Sequence, residues 1–160
     1  MFFNTDEFAE AINAFWKLIM EVPEKYTSIK LSQDKWSLKE IVGHLVDSAS
    51  NNHQRFVRLQ EENRLSFPVY HQEDWIRIQN YNEYNWQELI ELWKLYNSLL
   101  MHVIKNMSED SLKSVWETNG EEAQLDWLVN DYFRHMRFHY KHFDERLSEI
   151  LEINHTKLIE

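Results

Sequence analysis

Apolar side chains recur in four separate stretches of this chain at the three- and four-residue spacing of α-helices. In the first, Phe8, Ala11, Ile12, Phe15, Leu18 and Ile19 mark one face of a helix that starts after Asn4-Thr5 and runs to about Val22, with Pro23 just beyond it. A polar connection then reaches Trp36. Ser37-Leu38-Lys39-Glu40 has the form of a capping box, in which the Ser37 hydroxyl accepts from the backbone while Glu40 reaches back, so a second helix opens there. Its stripe of Leu38, Ile41, Leu45, Ala49, Phe56 and Leu59 carries it to about Glu62. A third helix is predicted over about Trp86 to Lys105, with Leu89, Trp93, Tyr96, Leu100 and Val103 inward. The fourth runs from about Gln124 to Ile153, with Leu125, Val129, Tyr132, Met136, Phe143, Leu147 and Ile150 inward.

Between Leu65 and Tyr84 no period is sustained, and Pro68 interrupts the middle. The stretch reads as an ordered aromatic loop with one helical turn near Glu73 to Gln79. At roughly 20 residues it exceeds an ordinary connection, which points to a crossover or functional segment. Ser108 to Ser114 reads as a short turn and Asn119-Gly120 as a break. Four amphipathic helices with two long connections predict an all-α, four-helix bundle whose topology is not a simple up-down series. Residues 1–160 are expected to form a single domain.

Composition agrees with a helical globular chain. Seven Trp, seven Tyr and nine Phe supply too much apolar mass for disorder, and two Gly and two Pro are too few for a fold built on many tight turns. A formal charge of −10 without any Lys/Arg cluster argues against a nucleic-acid partner. The lack of Cys removes disulfides, zinc–thiolate sites and cysteine nucleophiles together. No basic segment opens the chain, and Glu10, Asn13 and Lys17 break the apolar positions that follow. Neither a signal peptide nor a membrane span is therefore expected, and the expected compartment is the cytoplasm.

The candidate chemistry lies in histidines. His135 and His139 stand four residues apart on the fourth helix, so both imidazoles project to one side. His142 and Arg146 continue that polar stripe beside the apolar arc. On the second helix His44, Ser48, Asn51 and Arg55 repeat the same offsets of 0, 4, 7 and 11. Polar flanks of this kind line the grooves of a bundle, where metal and substrate sites are built. Two His on one helix completed by His44 would give three nitrogen ligands with coordination positions left open. The spacing also arises in histidines that are exposed or hydrogen-bonded at the edge of a core. It is not HExxH, because Met136 follows His135, so no adjacent glutamate serves as a protease base.

The run from Trp36 to Phe56, WSLKEIVGHLVDSASNNHQRF, resembles the signature of the DinB-like superfamily of metal-dependent enzymes. So does Asp131 to His139, DYFRHMRFH, and Phe67-Pro68-Val69-Tyr70 with Asp74-Trp75 resembles a subgroup feature. The resemblance spans most of the chain in the right order. It implies a DinB/YfiT-type four-helix bundle, often a homodimer, with a divalent metal held at His44, His135 and His139. It also implies a small-molecule substrate, since members include S-transferases using low-molecular-weight thiols such as bacillithiol, and relatives are mycothiol-dependent isomerases.

The expectation is thus a divalent-metal-dependent S-transferase or hydrolase acting on a small electrophile, with a thiol as cosubstrate in the first case. The contrasting expectation is a non-catalytic, metal-stabilised helical binding or stress protein. The metal would be zinc, nickel, iron or manganese; imidazole suits the first three and also copper, whereas manganese prefers oxygen. Ligand imidazoles must be neutral, so metal affinity is expected to fall as pH drops through the histidine range near 6.5. Asp47, one turn after His44, is a candidate to orient an imidazole or accept a proton, set against a solvated helix face. Asn52 is expected to bond a facing helix or line the site. His53 reads as a packed histidine or an alternative ligand, and His142 as a neighbour of the ligands. His71, His102 and His155 read as surface residues. The tryptophans read mainly as core or interface anchors, with Trp75 and Tyr70 alternatively roofing a pocket. Arg55 and Arg146 read as ion-pair partners or anion binders.

Overall fold

The computed structural model describes residues 4–156, and side chains as far as Ile153. Five α-helices form: α1 Thr5–Met20, α2 Leu38–Glu62, α3 Gln72–Gln79, α4 Trp86–Lys105 and α5 Leu125–Thr156. Three short strands join them, β1 Arg64–Ser66, β2 Val115–Thr118 and β3 Glu121–Gln124. The helix starts are set by local chemistry. The side chains of Asn4, Ser37 and Asn85 each accept from the backbone N–H three residues on, and at Ser37 the full capping box closes with Glu40.

The bundle consists of α1, α2, α4 and α5. Helix α2 packs on both α4 and α5, and α1 packs on the same pair. All of Leu38, Ile41, Leu45, Ala49, Phe56 and Leu59 are buried, facing Trp93, Leu100, Val129, Tyr132, Met136 and Phe143 in one continuous core. Inside it, Asn97 of α4 accepts a 2.7 Å hydrogen bond from the Tyr132 hydroxyl of α5, which satisfies two buried polar groups at once. No helix among the described residues is long and apolar enough to cross a membrane.

Two features depart from the expected pattern. The chain is not purely helical: β1 pairs parallel to β2, and β2 pairs antiparallel to β3. Asn119-Gly120, expected only as a break, is the hairpin turn of β2–β3, with φ values of 49° and 83°. Positive φ at both central residues suits the twist of a two-residue hairpin, which is why Asn-Gly occurs there. The second departure is α2, whose first three turns are enclosed on every side. Residues from Leu38 through Ala49 are all buried, polar ones included. The cause is the crossover between α2 and α4, which lays α3 and the 3₁₀ turn Tyr81–Glu83 against α2.

Gly43 permits that close approach. A Cβ built there would lie 2.2 Å from the Tyr81 ring, and Tyr81 is itself buried. Gly43→Ala is therefore expected to destabilise the protein by about 1–3 kcal/mol, despite an intrinsic helix preference for Ala of ~1 kcal/mol. A urea midpoint equal to or above that of the wild type would contradict this packing.

Candidate metal centre

His44 sits on the second turn of α2, and His135 and His139 face it from adjacent turns of α5. The Nε2 atoms of His44 and His135 are 3.2 Å apart. One nitrogen from each of the three rings falls within 4.8 Å of the others. Two nitrogens bound to one tetrahedral ion at roughly 2.0–2.1 Å lie about 3.3 Å from each other. The spacing of the first pair thus fits a shared ion. His135 is oriented by Ser48, whose hydroxyl lies 3.4 Å from His135 Nδ1 and leaves Nε2 directed at His44. The Nδ1 atoms of His44 and His139 are buried without a hydrogen-bond partner.

Burial dictates the charge state. It lowers the His44 pKa to about 3, with help from the neighbouring charge of His135 and His142. His139 falls to about 2, first through burial and then through His44, His135 and His142. His135 moves the same way for the same leading reason. All three rings are therefore neutral at pH 7, the state in which imidazole offers a lone pair to a cation. Burial thus moves protonation of all three rings below the 6.5 expected from unperturbed histidine.

Trp36 completes the wall. Its ring stacks at 15° on His139, with centroids 6.1 Å apart, and lies 5.1 Å from His44. A cleft of about 430 Å³ opens there, lined by Trp36, His139, His142, Lys141 and Arg146. A second cleft, about 610 Å³, is lined by Tyr70 and Trp75. Tyr70 connects it to the histidines: its ring is 6.4 Å from that of His44, and it hydrogen-bonds Ser48. Burial raises the Tyr70 pKa to about 12, so its hydroxyl keeps its proton.

The other candidates separate clearly. Asp47 is not on a solvated face; it is 2% exposed, and its Oδ1 accepts from Gln79 at 2.7 Å and from the Tyr81 hydroxyl at 2.6 Å. Burial raises its pKa against the pull of those two donors. Its Oδ1 hydrogen bonds thus hold the crossover onto α2, while its Oδ2 is buried without a hydrogen-bond partner. Asn52 bonds back to the Ser48 carbonyl of its own helix, not to a facing one. His53 packs on Tyr96, away from the cluster. His142 lies beside the ligand set, its ring 5.8 Å from His139. His71 and His102 are exposed, and the His155 side chain lies outside the described residues. Arg55 lies over the Trp116 ring, while Arg146 pairs with Glu149 and donates to the Trp36 carbonyl. Trp86 and Trp93 are core residues, but Trp127 is 53% exposed. The sequence reading missed Trp36 as a site wall, and Gln79 and Tyr81 as partners of Asp47. None of them belongs to a repeating pattern that would single it out.

With this geometry the chain resembles several solved structures. YfiT from Bacillus subtilis, described as a probable metal-dependent hydrolase with an unusual four-helix bundle topology, aligns with a TM-score of 0.77 and 18% identity over 91% of this chain and 87% of its own. The chain has the YfiT-like fold. A mycothiol-dependent maleylpyruvate isomerase aligns with a TM-score of 0.70 at 12% identity, over 86% of this chain; a histidine-to-alanine mutant of it gives 0.68. The YfiT-like chain spans 60% of the isomerase's length. No protein-family model matches it, and no curated protein matches it in sequence.

Buried neutral imidazoles make stability pH-dependent in a definite direction. Once unfolded, these histidines bind protons below about pH 6.5, whereas folded His44 and His139 refuse them until about 3 and 2. The metal-free protein therefore loses stability as pH falls. Its thermal midpoint is expected to drop between pH 7 and about 5 by more than that of His44→Gln/His139→Gln. Equal drops in the two proteins would remove the burial argument.

Proposed function

We propose that this chain is a divalent-metal-dependent enzyme acting on a small electrophilic substrate, as a thiol-dependent S-transferase or a hydrolase. The observation that carries the reading is the meeting of three uncharged imidazoles from two helices, His44 and His139 buried and His135 half-buried, beside an open cleft. His44, His135 and His139 would hold the ion. Bound there, it supplies positive charge that lowers the pKa of water or of a thiol and so yields a nucleophile at neutral pH.

The chain's own groups do the rest. Ser48, 3.4 Å from His135 Nδ1, would steady that ring with Nε2 turned toward His44. Trp36 covers the rings on one side and limits access of water. Tyr70 keeps its proton and can donate a hydrogen bond to a developing negative charge. In the transferase reaction a sulfur–carbon bond forms as the bond from carbon to the leaving group breaks, and that group departs with the electron pair. The thiol proton passes to solvent. With no cysteine in the chain, the sulfur must come from a cosubstrate. The likeness to a probable metal-dependent hydrolase supports the ion, and that to a mycothiol-dependent isomerase supports a thiol cosubstrate. A cytoplasmic homodimer belongs to the same proposal.

Protein purified from metal-supplemented cells should carry one divalent ion per chain by elemental analysis, and His135→Ala and His139→Ala should each lose it. Retention by both variants would overturn the assignment. Metal-loaded wild type should consume a low-molecular-weight thiol in the presence of monochlorobimane, and hydrolyse activated esters if it acts as a hydrolase. A protein that holds its ion yet turns over neither substrate would instead be a metal-stabilised binding protein.

A further inference from the structure

The cleft that reaches His139 and the one set off from the histidines by Tyr70 differ in chemistry. The one reaching His139 carries both signs of charge, with Lys35, Lys141 and Arg146 against Asp34, Glu73 and Glu145. The one on the Tyr70 side is walled by Phe67, Val69, Tyr70, Trp75, Ile78 and Tyr96. Its polar lining is mainly neutral: Ser50, Asn51 and Gln54 from α2. The acid there, Asp74, is exposed and already paired with Arg77 at 2.9 Å. With His71 and Asp74 as its other polar lining, the cleft of about 610 Å³ is better matched to an uncharged ligand than the first.

Two further observations mark it as a place for a ligand. Ile78 and Val69 line it and are 68% and 47% exposed, an arrangement that leaves apolar surface in water until something covers it. Tyr70 and Trp75 lie 4.8 Å apart with their planes tilted by 49°, which gives the cleft an aromatic corner. Tyr70 is also the wall shared with the histidines, through its approach to His44 and its bond to Ser48.

We propose that this second cleft binds the uncharged aromatic body of the electrophilic substrate and presents its reactive end past Tyr70 toward the histidines. The charged cleft beside His139 is left to the thiol cosubstrate. This division rests on the metal-enzyme reading for its catalytic meaning, but the binding step does not need the metal. A flat, neutral ring system of two fused rings fits a volume of this size and gains most from aromatic contact.

The test uses syn-bimane, the unreactive parent of monochlorobimane, with binding followed by calorimetry on the full chain with and without EDTA. Saturable binding is expected in both conditions. Ile78→Glu and Val69→Glu, at exposed positions where folding is undisturbed, should each weaken it at least tenfold while keeping the wild-type metal content. Lys141→Glu, in the other cleft, should leave it unchanged. With monochlorobimane as substrate, the first two variants should raise KM for bimane and not for thiol. No saturable binding to wild type, full binding by both glutamate variants, or loss of binding in Lys141→Glu would each overturn the proposal. Bimane binding by a wild type that takes up no divalent ion even from metal-supplemented cells would sink the enzyme reading and leave this cleft assignment standing.

Discussion

The axial register of α2 against α5 is the constraint on which the site depends. One turn of slip between two helices displaces facing side chains by about 5.4 Å, more than the 4.8 Å within which all three histidine nitrogens lie. The register is pinned at both ends. Near the C-terminal half of α5, Arg146 donates to the carbonyl of Trp36, just ahead of the α2 capping box. At the other end, Val115 N donates to the Asn63 carbonyl at the close of α2, and Leu125 N at the start of α5 donates to Ser114. The small sheet is thus a splice between the end of one ligand helix and the start of the other. Between the pins, Phe56 and Tyr132 meet edge to face at 6.0 Å and exclude a partial slip.

Drawing three imidazoles out of bulk water into this seam, two of them fully, has a cost that sets their chemistry. A buried polar nitrogen without a partner is unfavourable, and a buried charge far more so. The rings respond by staying neutral, which costs stability in acid but leaves their lone pairs available. The same enclosure keeps the Tyr70 hydroxyl protonated and raises the pKa of Asp47. One physical cause, exclusion of water by Trp36, α3 and the crossover, therefore prepares acceptors for a cation and a donor for an anion within a few ångströms of each other.

The four bundle helices were legible because each carries a sustained apolar period and most carry a capping signal; Ser37 with Glu40 is the clearest case. The histidine pair was legible from its spacing, and His44 from matching offsets on α2 together with the family resemblance. The crossover was not. Asp47 looked like a residue on an open face because its partners, Gln79 and Tyr81, lie over thirty positions away in a stretch without periodicity. The sheet was missed because its strands are three or four residues long, too short for alternation to register. Asn119-Gly120 carried the hairpin signal, but the polar run beside it, Glu121-Glu122, obscured the strand.

The crossover's anchors explain how an irregular segment can hold a functional side chain. Upstream of Tyr70, the Phe67 carbonyl accepts from the Trp116 indole at 2.9 Å, which ties the segment to β2. Downstream, Glu73 accepts from the Trp36 indole at 3.1 Å, and Gln79 and Tyr81 bond Asp47. Residues 68–72 are thus suspended between two indole hydrogen bonds, with Pro68 restricting the first of them. Tyr70 sits at the centre of that span, and its inward anchor is Ser48, the same hydroxyl that faces His135. Ser48 thus stands between the Tyr70 hydroxyl and the His135 ring. The contact runs through one side chain on the buried face of α2, which places the loop against the histidine cluster.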